Sequence, residues 1–195
     1  LGNYTEFESD GTMRSVGEAL TYRDELPSYI TPVSGAAAPD LVTHTIGGVQ
    51  RYLYSFDGNN TQEILSGSFE IPHDYAYGQP IEVHIHCRPS TTNLGTIKFF
   101  FDWEHSPAQS FPIAQTSLQL IDTNLQITSN KQYWHLLSSF GFLPNIGFNL
   151  GDKIGFNLRR TPTNALDTYP NDVLLEQIAL HVPCDTAGSR QIYIK

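Results

Sequence analysis

Pro80 to Arg88 (PIEVHIHCR), a turn at Asn93-Leu94-Gly95, and Thr96 to His105 (TIKFFFDWEH) together decide how this chain folds. In the first run Ile81, Val83, Ile85 and Cys87 alternate with Glu82, His84, His86 and Arg88. In the second, Ile97, Phe99, Phe101 and Trp103 alternate with Lys98, Asp102 and Glu104. A period of two sends successive side chains to opposite faces of a strand. Each run is therefore a strand with one apolar face toward a core, and the glycine turn joins them.

Working outward, the same signal recurs. Val49 to Phe56 (VQRYLYSF) alternates and ends in the turn cluster Asp57-Gly58-Asn59-Asn60, and Glu63 to Ile71 stops at Pro72. Further strands are expected at Gln115 to Thr128, Lys131 to Ser139, Asp152 to Arg160 and Val173 to Val182, with a last short one at Gln191 to Ile194. Leu174 to Ala179 reads equally as helix or strand, and no helical stripe persists for three turns. Eight or nine strands separated by Gly, Pro and Asn turns give an all-β fold, a jelly-roll β-sandwich occupying residues 41–195.

Residues 1–40 differ. Gly35 to Asp40 (GAAAPD), set among Pro27, Pro32 and Pro39, shows neither alternation nor a stripe. This part is expected to be an extended N-terminal arm with at most a short turn near Val16 to Leu20, mobile or held by a neighbour.

Composition agrees with a strand-built molecule and excludes several classes of function. The 195 residues are 39% hydrophobic and only 16% charged, with ten Tyr and eleven Phe. Strand surfaces favour Thr and Tyr where helical surfaces favour Glu and Lys. A net charge of −9 with 11 basic residues lacks the basic clusters that bind nucleic acid directly. No apolar run approaches the roughly 20 residues of a membrane helix, and Leu1 to Asp10 lacks the regions of a signal peptide. Cys87 and Cys184 fall in or at the ends of strands, as buried reduced thiols do, with a disulfide as the minor alternative.

Three constellations bear on chemistry. His84 and His86, two apart on one strand, present both imidazoles on one surface and are candidate metal ligands, with His181, Asp102 or Glu104 arriving from neighbouring strands. Cupin enzymes use such a pair with a glycine six residues earlier, where Gly78 stands. The cupin carboxylate position, however, holds Ser90 and Thr91, and Phe142 to Asn149 supplies no third His. The competing reading makes these histidines hydrogen-bonded sheet-surface or interface residues. Asp102 and Glu104 share a face at roughly 7 Å, a spacing compatible with paired acids but common on solvated sheets. Trp103, Trp134 and Tyr133 are candidate glycan- or partner-contact aromatics, with core filling as the alternative. Asp167 to Val173 (DTYPNDV) lacks the spacing of a calcium loop and reads as a turn. No nucleophile elbow, P-loop or metalloprotease motif occurs, so no catalytic residue is assigned and no cofactor is expected.

Four segments in order resemble a family of tailed-bacteriophage virion proteins. They are Asp10 to Asp24 (DGTMRSVGEALTYRD), Phe69 to Ser90 (FEIPHDYAYGQPIEVHIHCRPS), Gly95 to Trp103 (GTIKFFFDW) and Asp167 to Ser189 (DTYPNDVLLEQIALHVPCDTAGS). The resemblance implies a jelly-roll structural protein of the virion, made in the host bacterial cytoplasm. Its place would be on the capsid surface as a decoration protein, or in the tail. Its partners would be copies of itself, a closed trimer being favoured, and other virion proteins such as the major capsid or tail proteins. His84, His86 and His181 match the family's recurrent histidines. A receptor- or carbohydrate-binding domain of a phage tail or fibre is the first alternative function, and a cupin-like metal-binding protein the second.

Overall fold

The structure, a computed structural model, describes residues 2–9, 11–17, 20–33, 38–59, 62–108, 119–144 and 147–187, and for 119–121 the backbone alone. Thirteen strands run in chain order among these residues: β1 (Tyr4–Phe7), β2 (Met13–Val16), β3 (Thr21–Glu25), β4 (Tyr29–Pro32), β5 (Asp40–Ile46), β6 (Val49–Phe56), β7 (Glu63–Glu70), β8 (Glu82–Pro89), β9 (Gly95–Ser106), β10 (Gln119–Ile127), β11 (Leu136–Phe142), β12 (Lys153–Arg160) and β13 (Val173–Cys184).

Two antiparallel sheets form the body. One has the order β10-β9-β12-β7-β4 and the other β11-β8-β13-β6-β5, with β3 also pairing to β13. Setting aside β3, β4 and β5, strands β6 to β13 form two sheets of four in the interleaved order of a jelly roll, β6-β13-β8-β11 facing β7-β12-β9-β10. The all-β jelly-roll sandwich expected from alternation is the fold observed.

The alternating faces meet as the periodicity requires. Ile81, Val83, Ile85 and Cys87 have no exposed surface, nor have Ile97, Phe99 and Phe101, and Trp103 is 1% exposed. Across the layer Phe69, Phe156 and Phe101 stack in sequence, with ring centroids 4.9 and 5.2 Å apart. Each such ring or branched chain removed from water contributes about 1.5–3 kcal/mol. Gly67, in the middle of β7, makes this possible, because a Cβ there would lie 2.4 Å from the Phe156 ring. Cys87 and Cys184 are buried free thiols, and burial pushes the Cys87 thiol up to about 12.

Arg160, the last residue of β12, points into the core with no exposed surface. Its Nε and Nη2 donate to the two carboxylate oxygens of Asp167 at 2.9 Å each, and Nη2 also donates to the Tyr169 carbonyl at 2.6 Å. Nη1 serves the carbonyls of Phe56 (3.2 Å), Asp57 (3.1 Å) and Asn171 (2.7 Å). Tyr169, 1% exposed, accepts from the Thr91 amide at its hydroxyl, and Asp172 accepts from the Gly58 amide. The Asp167 to Val173 segment is thus fastened across both sheets by one guanidinium.

The leading residues depart from expectation. Residues 21–25 and 29–32 are extended, but they pair with the sandwich itself: β3 adds to the Leu180–Cys184 half of β13, and β4 adds to β7. An open antiparallel edge with free N–H and C=O groups accepts any short extended segment rich in Thr, Tyr and Ile, and TYRDE and YITP are such segments. β1 and β2 pair with each other, and the Ser15 amide donates to the Asp185 carbonyl at 2.6 Å. The turn expected near Val16 to Leu20 and the stretch Gly35 to Asp40 fall partly outside the described residues, and Gln191 to Ile194 falls wholly outside. The strand expected at Lys131 to Ser139 begins later, at Leu136, because Lys131–Trp134 closes a turn with Tyr133 at φ 59°. Leu174 to Ala179 is strand, carrying a bulge between Leu175 and Gln177.

Candidate functional site

The outer face of the β11-β8-β13 sheet carries the histidines, and register explains why they gather. His84 on β8 lies between Ser139 of β11 and Ala179 of β13, while His86 lies between Leu137 and Gln177. One row along, Glu82 faces His181, and His181 in turn faces Asp24 of β3. The small side chains beside His84 leave space above it. The result is an open cavity of about 330 Å³ lined by Asp24, Glu82, His84, His86, Leu137, Ser139 and His181.

Within it the polar groups make a connected set. His84 is 7% exposed, and its Nε2 lies 3.7 Å from Asp24 Oδ2. Asp24 Oδ1 is 2.9 Å from His181 Nδ1, and the His181 ring stacks on Tyr22. His86 Nδ1 is 2.6 Å from His135 Nε2, so one ring donates and the other accepts. That leaves His86 Nε2 buried and without a hydrogen-bond partner among the described residues. Burial, reinforced by neighbouring rings, holds both His84 and His86 below the ordinary imidazole value, although Asp24 pulls the other way. Both rings are therefore biased toward the neutral form.

The bulge in β13 supplies the adjoining charge. Its extra residue is Glu176, and a bulge re-aims a side chain in this manner. The Glu176 carboxylate pairs with Arg51 of β6 and with Arg88 Nε at 2.9 Å, and its Oε2 lies 3.7 Å from His135. Burial pushes this carboxyl up, but hydrogen bonds and charge from Arg88 and Arg51 outweigh it, leaving it below its usual range. His44 of β5 packs on Tyr133 with ring centroids 4.7 Å apart.

Of the residues singled out from sequence, His84, His86 and His181 line one cavity. Asp102 and Glu104 do not join them, because β9 belongs to the other sheet. There Asp102 pairs with Arg159 at 2.7 Å, next to a Lys98–Asp122 pair at 2.9 Å. Among the described residues that face carries these cross-strand ion pairs. Trp103 is also corrected: as an inward member of β9 it is core and unavailable to a glycan or partner. Trp134 is 57% exposed with Lys131 Nζ 4.0 Å over its ring, and Tyr133 is 40% exposed. Asp24, His135 and Glu176 were missed. Nothing local marks Asp24, since only the pairing of β3 with β13 brings it to the histidines.

A second feature is the β5–β6 hairpin. β6 pairs with β13 only through Tyr54, Ser55 and Phe56, so beyond them the hairpin has no backbone pairing to β13 and is tied to it through the Arg51–Glu176 ion pair. It exposes Leu41, Ile46, Val49 and Tyr52, the last at 69%. Among the described residues nothing pairs with the outer edge of β5.

Comparison with known proteins gives no matching family model and no matching curated protein. Among solved structures the chain is similar to an arabinose-bound α-L-arabinofuranosidase, MgGH51, at 10% identity and TM-score 0.45, covering 83% of this chain and 24% of that one. It is similar to the mannan-recognising carbohydrate-binding module TmCBM27 at 11% identity and TM-score 0.41, covering 83% and 98%. It is also similar to the enzymatically active domain of bacteriophage CBA120 tailspike protein 4 at 8% identity and TM-score 0.36, covering 85% and 19%. The chain thus spans about a quarter of the arabinofuranosidase and a fifth of the tailspike domain.

Proposed function

We propose that this chain is a structural component of a tailed-phage virion that acts by packing against neighbouring subunits, on the capsid surface or in the tail. The observation that carries this reading is the β5–β6 hairpin, whose outer edge is unpaired among the described residues and whose apolar side chains are exposed. A two-stranded hairpin is marginal alone in water, and an unpaired edge with exposed apolar side chains is a docking edge unless something blunts it. Here Leu41 and Ile46 on the edge strand β5, and Val49 and Tyr52 on its partner β6, are all exposed. The four sequence segments similar to phage virion proteins supply the context, and a net charge of −9 keeps unassembled copies soluble. The neighbour at the hairpin is another copy of this chain in a closed ring, a trimer by preference.

Quantitative mass spectrometry of purified particles from the phage that encodes the chain tests this. A fixed copy number per particle, in a multiple of the ring size, is expected. Absence from particles that infect normally refutes the reading. Tyr133 and Trp134 allow a glycan-contact reading as well. Specific glycan binding by the isolated chain, lost in Trp134→Ala, would replace the assembly reading with that one.

A further inference from the structure

The geometry points to a divalent transition-metal site formed by Asp24, His84 and His86, which clasps the leading strand β3 to the sandwich. A nitrogen of each histidine and a carboxylate oxygen of Asp24 all lie within 4.8 Å of one another. A tetrahedral ion with bonds of about 2.0–2.1 Å sets its ligands roughly 3.4 Å apart. The His84–Asp24 separation of 3.7 Å is already near that value, and modest side-chain rotation closes the rest.

His86 and Asp24 have the outer partners that metal ligands use. Ligating imidazoles use one nitrogen for the ion and tie the other to a fixed partner, and ligating carboxylates are themselves hydrogen-bonded. His86 has its Nδ1 on His135 and its Nε2 buried with no partner among the described residues. Asp24 has one oxygen on His181 and the other directed toward His84. The cavity above the three groups leaves room for water or another exchangeable ligand to complete the coordination. Two imidazoles and one carboxylate with open positions suit Zn²⁺ and its first-row neighbours, not Ca²⁺ or Mg²⁺, which prefer all-oxygen shells.

The arrangement is not the cupin one. Its carboxylate comes from a strand 60 residues before His84, and it arrives only because β3 pairs with β13. Binding therefore couples metal to the docking of β3, and the ion acts as a clasp. This inference is independent of the virion proposal.

The test uses the full chain stripped with chelator, then dialysed against Zn²⁺ and separately Co²⁺, with bound metal measured per chain. One equivalent is expected, with amide exchange in residues 21–25 slowed by metal. Asp24→Asn, an exposed near-isosteric change that leaves the fold intact, is expected to weaken binding at least 10-fold. His84→Ala/His86→Ala is expected to abolish it, while the control His73→Ala leaves it unchanged. No stoichiometric binding of either ion, or binding unaltered in Asp24→Asn, overturns the assignment.

Discussion

Replacing Arg160 by Met isolates the guanidinium that fastens the two sheets together. The guanidinium has five N–H donors, and all are used: two on Asp167, one on Tyr169, and the Nη1 pair shared among Phe56, Asp57 and Asn171. Methionine fills a similar volume, so packing changes little. What changes is that the Asp167 carboxylate, whose side chain has no exposed surface, keeps its charge but loses its cation. Removing one partner of a buried ion pair costs about 3–5 kcal/mol. At about 2–4 °C per kcal/mol for a domain of this size, that is a fall of roughly 10 °C in Tm. The Lys98 amide, 3.1 Å from Asp167, offsets only part of the loss. Replacing both partners (Arg160→Met with Asp167→Leu) removes the stranded charge but leaves four carbonyls without their donor, so recovery is partial. Calorimetry or thermal melting followed by circular dichroism reads both variants. A single variant melting within 2 °C of the native chain refutes the reasoning.

Three further outcomes follow from the packing. Glu63, 4% exposed, has its carboxyl raised from 4.5 to about 7, first by burial and then by the nearby carboxylates of Asp57, Asp40 and Asp172, against the Asp57 amide that donates to it. Because the folded value is raised, the native state is favoured below about 4.5 and loses on the order of 3 kcal/mol as pH rises through 7. Glu63→Gln should abolish that slope in urea unfolding between pH 5 and about 8, and an unchanged slope contradicts the assignment. Gly67→Ala places a methyl 2.4 Å from the Phe156 ring and 2.7 Å from the Tyr29 carbonyl, for a loss of about 1–3 kcal/mol in the same assay. Trp103→Ala should cost about 3–5 kcal/mol and Trp134→Ala less than about 0.5. Equal effects would mean the two indoles are not core and surface.

How much of this was legible in the chain depends on periodicity. β8 and β9 alternate over eight or more residues, so strand and inward face could both be read directly. The pairing of His84 with His86 followed from the same period. β3, β4 and β5 were not legible, because short strands added to an existing edge draw their stability from backbone pairing and need no apolar face of their own. Asp24 was hidden for that reason, and Glu176 because a bulge leaves no mark in a pattern of two. Asp102 and Glu104 share the periodicity that unites the histidines, yet no local signal says which sheet a strand joins. Trp103 shows the reverse case: its position in the Ile97, Phe99, Phe101 series already placed it inside.

Hydrogen–deuterium exchange of residues 40–52, compared between the isolated chain and intact particles, bears most directly on the assembly claim. Covered by a neighbouring subunit, the outer-edge amides of β5 should exchange at least 10-fold more slowly in the particle. Equal rates in the two states would mean that nothing covers the hairpin, and the account of this chain as an assembly part would fail.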